Sequence, residues 1–527
     1  MTGVPSTTTT TTGPTPPPAV TDDTEGTGST ETTKSTEGAA GTGARSQRPS
    51  SAAFRAFVGS GWAPRPAAPT EQGEGARRAV PRRERLSARF PGERLVVPAG
   101  GLQVRSNDSD HRFRPHTAFA YLTGLGGATE PDCVLVLEPV ADGHEAVLLF
   151  RPRAGRDTEE FYADARYGEL WVGTRQSLEE VTAETGLPAR HLDELSDALT
   201  ADLGTVGVRV VREAHGAVTD LLDAARAAAG VDPAEALDGD SGLAEEVSVM
   251  RSVKDDWEVA QLREAVEATA RGFADVVRAL PRAAAHPRGE RVVEGVFAAR
   301  ARAEGNGVGY EVIAAAGGHA CTLHWIRNDG PVGDDDLVLV DAGVEVESLY
   351  TADITRTLPV SGRFTTAQRK VYTAVLDAAD AALAVARPGA TIREVHDAAM
   401  VVIADRLASW GLLPVSAEES LDTSTGGQHR RWMVHGTSHH LGLDVHDCAR
   451  LARDTYQGQA LQEGMVFTVE PGLYFRADDL LVPEELRGIG VRIEDDVVVT
   501  ADGVENLSAM LPRDPDEVEA WMARVQA

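Results

Sequence analysis

Histidines and isolated acids are concentrated in the last third of the chain, in a pattern that suits metal binding. Five of the fourteen histidines lie between His429 and His446, in or just before the segment HGTSHHLGLDVHD (435–447). Two carboxylates follow inside strand-like apolar runs, Glu470 in TVEPG and Glu494 in VRIEDD. Ionised side chains are costly to bury unless they are paired or bind a metal. These residues are therefore candidates for a metal centre.

Two aspartates lie upstream in similar surroundings. In DLVLVDAG (336–343) an alternation of period two places Leu337, Leu339 and Asp341 on one strand face. Asp353 follows in TADITRT, where it precedes β-branched residues. Taken alone, each aspartate is either a metal ligand or a turn residue.

The run VRIEDDVVV (491–499) predicts a strand that carries a polar site. The same alternation places Arg492 and Glu494 on one face, and Ile493 on the other. An inward-facing site is one interpretation, and a structural Arg–Glu ion pair is the alternative. Glu470 ends another apolar strand, because a Pro-Gly pair turns the chain directly after it.

Four carboxylates and one imidazole are hard, oxygen-rich donors, which suit Mn²⁺, Mg²⁺ or Co²⁺ better than ions that prefer thiolates. They are too many for one catalytic zinc ion, which usually keeps about three protein ligands. They suit two ions that share bridging carboxylates, with a bridging water or hydroxide as the nucleophile.

Composition narrows the class of protein. The 51 basic and 81 acidic residues give a formal net charge of −30, which repels phosphate backbones and argues against nucleic-acid binding. The three cysteines are far apart and suit a reducing compartment. Neither a signal peptide nor an apolar stretch of about eighteen residues is found, so we expect no membrane span and a cytoplasmic location.

Secondary-structure signals alternate along the chain. Strand-like runs are ERLVVPAG, CVLVLEP and AVLLF in the first half, and 310–316 and 336–343 in the second. Apolar residues near a 3.6-residue period predict a helix over 246–273. Another helix is predicted over 365–386, ending before a breaker cluster of arginine, proline and glycine.

These motifs together resemble the metal-dependent aminopeptidase P and prolidase family with the pita-bread fold. The segment FAYLTG (119–124) is similar to a Phe-x-Tyr-x-Thr-Gly segment in that family's creatinase-like N-terminal domain. The resemblance spans about residues 80–515 and implies an α/β (α+β) chain. The predicted division is a disordered low-complexity tail, a creatinase-like N-terminal domain, a pita-bread catalytic domain and the end of a C-terminal helix. Their respective bounds are 1–75, 76–240, 241–515 and 516–527.

The resemblance also implies a ligand set. The family's order of Asp, Asp, His, Glu and Glu falls on Asp341, Asp353, His439, Glu470 and Glu494. Asp353 and Glu494 would bridge both ions, Asp341 would hold one ion, and His439 with Glu470 the other. The two aspartates are twelve positions apart, one more than the family usually has, and we expect a one-residue bulge to absorb the difference.

Further residues match the family's substrate cleft. His435 and His446 would line the cleft and stabilise the developing oxyanion. His324, in CTLHWIRND, matches another cleft histidine, with a half-buried structural histidine as the alternative. Arg492 and Tyr474 match a supporting polar pair. The glycines in HGTSHHLGLDVHD argue against a helix, so these histidines are expected on loops or strands; His429 and His440 are interpreted as bystanders.

The implied reaction is hydrolysis of the bond between an N-terminal residue and a following proline in peptides. Such a bond is a tertiary amide without an N–H, so a dedicated site is expected. Glu470 would take the proton from the nucleophile and help to deliver it to the proline nitrogen. Manganese is the expected ion, with cobalt or magnesium as alternatives, and the family's N-terminal domain implies a homodimer or homotetramer.

Four other functional interpretations of these motifs are considered. A prolidase, which cleaves only Xaa-Pro dipeptides, would share all five ligands, but it tends to carry glycine where this chain has Ser438. A non-catalytic binding module and the metal-free creatinase would both lack the ligands. Methionine aminopeptidase shares the ligand order but usually lacks the additional N-terminal domain. The sequence therefore favours an Xaa-Pro aminopeptidase.

Overall fold

The computed structural model describes residues 51–65, 71–451 and 453–527. Most of the predicted tail, 1–50, lies outside the described residues. The next few residues differ from the expectation of disorder, because Ala52–Val58 form a helix, α1, which Ser51 caps at its N-terminus. Two apolar side chains of α1 pack against a small buried cluster that includes Phe161 and Tyr162. This packing stabilises a segment that composition alone assigned to the tail.

The N-terminal half is a five-stranded mixed sheet with helices around it. The strand order is β6-β5-β4-β1-β7, with antiparallel pairing of β1, β4 and β5 and parallel edges. Its strands and the nearby hairpin are β1 (Arg94–Pro98), β2 (Val104–Ser106), β3 (Ser109–Asp110), β4 (Val134–Val140), β5 (Gly143–Phe150), β6 (Ala189–His191) and β7 (Val208–Val210). Its helices are α2 (Glu74–Arg89), α3 (Thr117–Thr123), α4 (Glu159–Ala163), α5 (Glu169–Val172), α6 (Leu178–Thr185), α7 (Leu195–Thr200), α8 (Gly216–Ala228) and α9 (Pro233–Arg251). The three strand predictions for this half are confirmed.

The junction between the two halves is helical. The boundary expected near residue 240 lies within α9, which continues to Arg251. The single helix predicted over 246–273 is wrong, because the chain leaves the helix and starts a new one after Asp255. The Asp255 side chain accepts hydrogen bonds from the backbone N–H groups of Trp257 and Glu258, and the Glu258 carboxylate accepts one from the Asp255 N–H. This capping box fixes a helix start.

The C-terminal half consists of short antiparallel sheets and paired helices. Its sheets have the orders β12-β10-β9, β13-β16-β17, β14-β15 and β11-β8. Its strands are β8 (Gly307–Val308), β9 (Ile313–Ala316), β10 (Leu337–Ala342), β11 (Val344–Glu345), β12 (Ile354–Pro359), β13 (Val466–Val469), β14 (Gly472–Phe475), β15 (Ile489–Arg492), β16 (Asp495–Val499) and β17 (Val504–Asn506). Its helices are α10 (Asp256–Ala284), α11 (Gly289–Glu304), α12 (Thr366–Val385), α13 (Ile392–Ser409), α14 (Ala417–Leu421), α15 (Arg453–Gly458) and α16 (Pro515–Gln526). Helix α10 packs on α11 and α12 on α13.

One large apolar core extends through both halves and supports the sheets from behind. The whole is a mixed α/β structure, as expected. In the part of the chain that the structure describes, no helix has both the length and the apolar character needed to cross a membrane.

The β10–β12 hairpin corrects the expected bulge. Asp341 pairs with Thr355, and further along the hairpin Glu345 forms a bridge with Thr351. From the first pair to the second, each strand advances by four residues. The antiparallel register is therefore uninterrupted between the two pairs, and neither strand contains a bulge there. An additional residue can therefore lie only in the tip, where Leu349 adopts the left-handed region with φ 74°.

The run VRIEDDVVV is two strands instead of one. Strand β15 ends at Arg492 and β16 begins at Asp495, and the two belong to different sheets. The cause is visible in the backbone, because the Glu494 N–H donates to Thr355 O at 3.1 Å. Arg492 and Glu494 nevertheless remain close, with Nε and Oε2 4.0 Å apart.

Candidate active site

The sheets of the C-terminal half direct polar side chains into one cavity of about 480 Å³. All five predicted ligands line it, together with four of the predicted cleft residues. The lining residues named in the sequence analysis are His324, Asp341, Asp353, His435, His439, His446, Glu470, Arg492 and Glu494. Tyr474 is not part of the wall but contacts two residues that are.

The two aspartates come from opposite strands of the β10–β12 hairpin. The Tyr310 hydroxyl lies 2.7 Å from Asp341 Oδ1 and 2.5 Å from Asp353 Oδ1. A hydroxyl has one proton, so it can donate to only one of the two carboxylates at a time. The Asp353 backbone N–H donates to Asp496 Oδ2 at 3.1 Å. Tyr310 and Asp496 therefore hold the aspartates at short separation.

His439 faces the acids through Nε2. This atom lies 3.3 Å from Asp353 Oδ2 and 3.7 Å from Glu470 Oε1. Its Nδ1–H donates to His440 O at 3.1 Å, which leaves the Nε2 lone pair for a metal ion. One potential ligand atom from each of Asp353, His439 and Glu494 lies within 4.8 Å of the others, a spacing that suits a shared cation.

The two glutamates are held by neighbouring backbone and hydroxyl groups. Glu470 follows β13 directly, and its backbone N–H donates to Thr437 O at 2.8 Å. Glu494 is almost completely buried, and its Oε2 accepts a hydrogen bond from Thr355 Oγ1 at 2.6 Å. Both carboxylates thus reach the cavity from fixed backbone positions.

Electrostatics favours a cation at this cluster. Burial raises the pKa of Glu470 to about 7, against the opposing charges of His439 and Arg492. Burial, with the neighbouring carboxylates, raises the pKa of Glu494 well above its usual range. Burial also raises the pKa of Asp353, although a hydrogen bond with His439 opposes the shift. A divalent cation would stabilise the ionised forms of these carboxylates, so the donor set fits the metal ions that it was predicted to hold.

His439 carries the complementary shift. Burial lowers its pKa, but the hydrogen bond with Asp353 and the charge of Glu470 outweigh burial and raise the pKa to about 9. In the protein without metal a proton on this imidazole offsets part of the negative charge. A metal ion would replace that proton, since a ligand imidazole must be neutral.

A polar chain supports the opposite wall. Arg492 Nη2 donates to Asp341 Oδ2 at 2.5 Å and its Nε donates to Thr355 Oγ1 at 3.0 Å. Arg492 Nη1 donates to the Tyr474 hydroxyl at 3.2 Å, which in turn lies 2.7 Å from His435 Nε2. Burial, followed by the charge of Arg492, lowers the pKa of His435 to about 3, so this imidazole is neutral.

Two other histidines face the cavity. His446 packs edge-on against the ring of His439, with centroids 4.5 Å apart, and burial lowers its pKa. His324 is exposed on a loop at the cavity wall. Neither His429 nor His440 lines the cavity; His440 is buried against Tyr456. The histidines of HGTSHHLGLDVHD lie outside helices, as expected.

Several residues of the site were not identified from the sequence. Tyr310 and Glu311 line the cavity at the start of a run that was interpreted only as a strand. Thr355 lies in the motif TADITRT, which predicted no role for it, although it contacts both Glu494 and Arg492. Polar residues at the end of an apolar run are the one signal that marks Tyr310 and Glu311. No local signal separates Thr355 from an ordinary strand threonine.

Comparisons with known proteins agree with this geometry. The family model described as metallopeptidase family M24 matches residues 260–501. A second model, described as the aminopeptidase P N-terminal domain, matches residues 80–210. The two matches cover the sheet of the first half and the cavity of the second.

Curated relatives carry a consistent name. The chain is 52% identical over 467 residues to Xaa-Pro aminopeptidase 1 of Streptomyces coelicolor, covering 89% of this chain and 91% of that protein. It is 35% identical to Xaa-Pro aminopeptidase of Escherichia coli, covering 82% and 94% respectively. Zn-substituted E. coli aminopeptidase P in complex with product superposes with a TM-score of 0.75 at 31% identity, covering 87% of this chain and 100% of that one.

Proposed function

The chain is a hydrolase that belongs to metallopeptidase family M24, with the aminopeptidase P N-terminal domain and the pita-bread fold, and we propose that it removes the N-terminal residue from peptides whose second residue is proline. The observation that carries the proposal is the convergence of four carboxylates and His439 on one open cavity beside His324 and His446. Such a cavity can take an extended peptide terminus.

Five side chains would hold two divalent cations. They are Asp341, Asp353, His439, Glu470 and Glu494. When bound, the cations supply acidification of water and polarisation of the scissile carbonyl. Manganese is proposed because the donors are mainly hard oxygens, and cobalt or magnesium are the alternatives.

Glu470 is proposed as the proton carrier. Its carboxylate would accept the proton of the attacking water and then deliver it to the proline nitrogen as the peptide bond breaks. Two features support this role: its side chain faces the cavity, and its backbone is anchored to Thr437.

The histidines are proposed to have different tasks. Both ring nitrogens of His435 are already engaged, with Gly436 O and with the Tyr474 hydroxyl. Among the residues described, the imidazoles of His446 and His324 make no hydrogen bond, so they are free to contact the developing oxyanion or the peptide. His435 would then act with Tyr474 and Arg492 to shape the wall and orient Asp341.

A prolidase is the second candidate. It would use the same five ligands, so the metal site does not separate the two activities. The curated relatives named above favour the aminopeptidase, and Ser438 occupies the position where prolidases tend to carry glycine.

The decisive experiment compares matched peptides. Enzyme that has been treated with a chelator is assayed on an Xaa-Pro-Xbb tripeptide and an Xaa-Pro dipeptide, before and after addition of Mn²⁺. Manganese-dependent release of the first residue from the tripeptide, with little action on the dipeptide, is the expected result. Activity confined to the dipeptide would establish prolidase instead, and no activity on either would overturn both.

Assembly and location are also proposals. A homodimer or homotetramer is supported by three consecutive exposed apolar residues on α5, Leu170, Trp171 and Val172. A cytoplasmic location is supported by the three cysteines, all of which are free. Light scattering coupled to size-exclusion chromatography tests the first, and a monomer at micromolar concentration would contradict it.

A further inference from the structure

Residues 317–330, here called the cleft loop, connect β9 to the segment before β10. The loop begins with a 3-10 helix, Gly317–Cys321, and then continues without helix or strand. It carries three residues of the cavity wall: Leu323, His324 and Ile326. Because the His324 imidazole is exposed and makes no hydrogen bond within the described residues, its position depends on whatever holds the backbone of the loop.

Glu290, on α11, holds that backbone from behind. Its side chain is completely buried and lies outside the cavity wall. Oε1 accepts hydrogen bonds from the Ala316 N–H at 2.9 Å and from His319 Nδ1 at 2.7 Å. Oε2 accepts from Trp325 Nε1 at 2.9 Å and from the Gly330 N–H at 2.7 Å. One carboxylate therefore joins the start, the middle and the end of the loop.

The loop is folded tightly around this carboxylate. The rings of His319 and Trp325 stack with centroids 3.9 Å apart, which closes the segment between them, including His324, into a turn. Gly330 allows the closure, since a Cβ at this position would lie 2.6 Å from the His319 ring and 2.8 Å from Glu290 Oε2. Asn328 secures the same end, because its Oδ1 accepts from the Ala314 N–H and its Nδ2 donates to Val312 O.

Burial makes these bonds a strong constraint. A carboxylate removed from water is costly unless its oxygens are satisfied, and neither lysine nor arginine pairs with Glu290 among the described residues. Three of its four donors belong to the loop and the fourth to the residue just before it. A loop conformation that moved these three donors away would leave the buried carboxylate with the Ala316 N–H as its remaining partner among the four.

We propose that Glu290 is a positioning residue that fixes the cleft loop so that His324 faces the substrate. The proposal rests on the function proposed above and deepens it, because it assigns the control of one cleft histidine to a residue that does not touch the peptide. It predicts that loss of Glu290 acts on catalysis only through His324.

The first test measures the loop itself. In Glu290→Gln one carboxylate oxygen becomes an NH₂ group, which faces two N–H donors. At best His319 changes tautomer and accepts, leaving the Ala316 N–H unsatisfied. Hydrogen–deuterium exchange of metal-free protein should then be at least about threefold faster in peptides covering 316–330 than in wild type. Unchanged exchange in these peptides would overturn the proposal.

The second test is a double-mutant cycle on the tripeptide substrate. We expect His324→Ala to lower kcat/KM by about a hundredfold and Glu290→Gln by about tenfold. The double variant should be no slower than His324→Ala alone, because the loop then has no histidine to place. Multiplicative losses would show that Glu290 acts independently of His324 and would overturn the proposal.

A matched control separates positioning from general destabilisation. Asp240 is another completely buried carboxylate with four hydrogen bonds, but it lies in the N-terminal half. Asp240→Asn should change neither exchange in 316–330 nor kcat/KM per folded molecule. If Glu290→Gln does not fold, Trp325→Phe removes one donor, keeps an aromatic ring beside His319 and should shift both measurements in the same direction.

The exchange measurement also keeps the two proposals apart. If wild-type protein does not cleave Xaa-Pro peptides, the proposed function fails. The exchange rates still test whether Glu290 fixes the conformation of the cleft loop. If wild type is active but neither variant accelerates exchange, only the positioning role fails.

Discussion

Two buried carboxylate sites, Asp240 in the N-terminal half and the cavity acids in the C-terminal half, are surrounded in opposite ways. In the N-terminal half, Asp240 accepts hydrogen bonds from Val210 N–H at 2.8 Å and from Arg212 at 2.9 Å. Arg226 adds two more, at 2.8 and 2.9 Å. In the C-terminal half, the cavity groups Asp341, Asp353, Glu470 and Glu494 close to Arg492 and His439.

This difference separates a structural carboxylate from a binding one. The negative charge of Asp240 is neutralised by two guanidinium groups of the protein, so this carboxylate requires no bound cation. In the cavity the positive charges are too few, and burial raises the pKa of Glu470 to about 7 and that of Glu494 well above its usual range. The missing positive charge must come from a ligand, which is the physical reason that the site suits divalent cations.

The largest expected effect is loss of Glu470. Glu470→Ala should lower kcat/KM on the Xaa-Pro-Xbb tripeptide by at least about a thousandfold, because the proton carrier and one metal donor are removed together. Thermal unfolding of the chelated variant should occur no lower than that of wild type, since one of the crowded carboxylates is gone. Full activity in Glu470→Ala would contradict the proposed role of Glu470 in proton transfer.

Asp240 should behave in the reverse manner. Asp240→Asn leaves the buried Arg226 and the half-buried Arg212 with a weakened partner, and we expect a loss of about 3 kcal/mol in the free energy of unfolding. Urea denaturation monitored by circular dichroism measures this loss. Turnover per folded molecule should not change, so a variant that unfolds normally but is inactive would contradict the distinction drawn between Asp240 and the cavity carboxylates.

Metal binding should stabilise the protein through the cavity alone. At a Mn²⁺ concentration of about a hundred times the dissociation constant, the free energy of unfolding should rise by about 2.7 kcal/mol over the chelated protein. The increase should persist in Asp240→Asn and should be largely lost in Glu494→Ala. Thermal melts with and without Mn²⁺ check this, and an equal increase in both variants would place the ion elsewhere.

The smallest expected effect is a pH dependence at a carboxylate that the protein neutralises. Hydrogen bonds from Arg431 and from the Leu481 N–H lower the pKa of Asp479 to about 2, although partial burial acts in the opposite direction. The stabilisation from this group is therefore fully present above about pH 4 and is lost as the pH falls towards 2. Asp479→Asn should flatten the acid limb of a plot of stability against pH, and an unchanged limb would contradict the assignment.

The candidate ligands could be proposed from sequence because each lies in a short motif with its own apolar strand. Asp341 is the penultimate residue of β10, as the alternation of residues predicted, and Glu470 follows β13 directly, as the Pro-Gly pair after it predicted. The structure brings these motifs to one cavity, although more than a hundred residues separate the two strands. Helix α12 was placed equally well, because Thr365 caps it and an arginine-proline-glycine cluster follows it.

Other features depend on contacts that no local pattern contains. The expected bulge in the β10–β12 hairpin is absent because the tip accommodates the additional residue. The run around Glu494 is divided because the backbone of Glu494 bonds to Thr355 of another strand. Helix α1 forms because its apolar side chains meet Phe161 and Tyr162, about a hundred residues away.

The sequence by itself determined the kinds of donors available and their order, because these depend on side-chain chemistry and on short periodic patterns, and the resemblance of these motifs to a known family implied the reaction. Only the tertiary structure decided which groups share a proton, which histidines remain free and which residue holds the cleft loop. Glu290 illustrates the difference, since a glutamate in a helix has no distinguishing local pattern. Its importance arises from four donors that only the folded chain places around it.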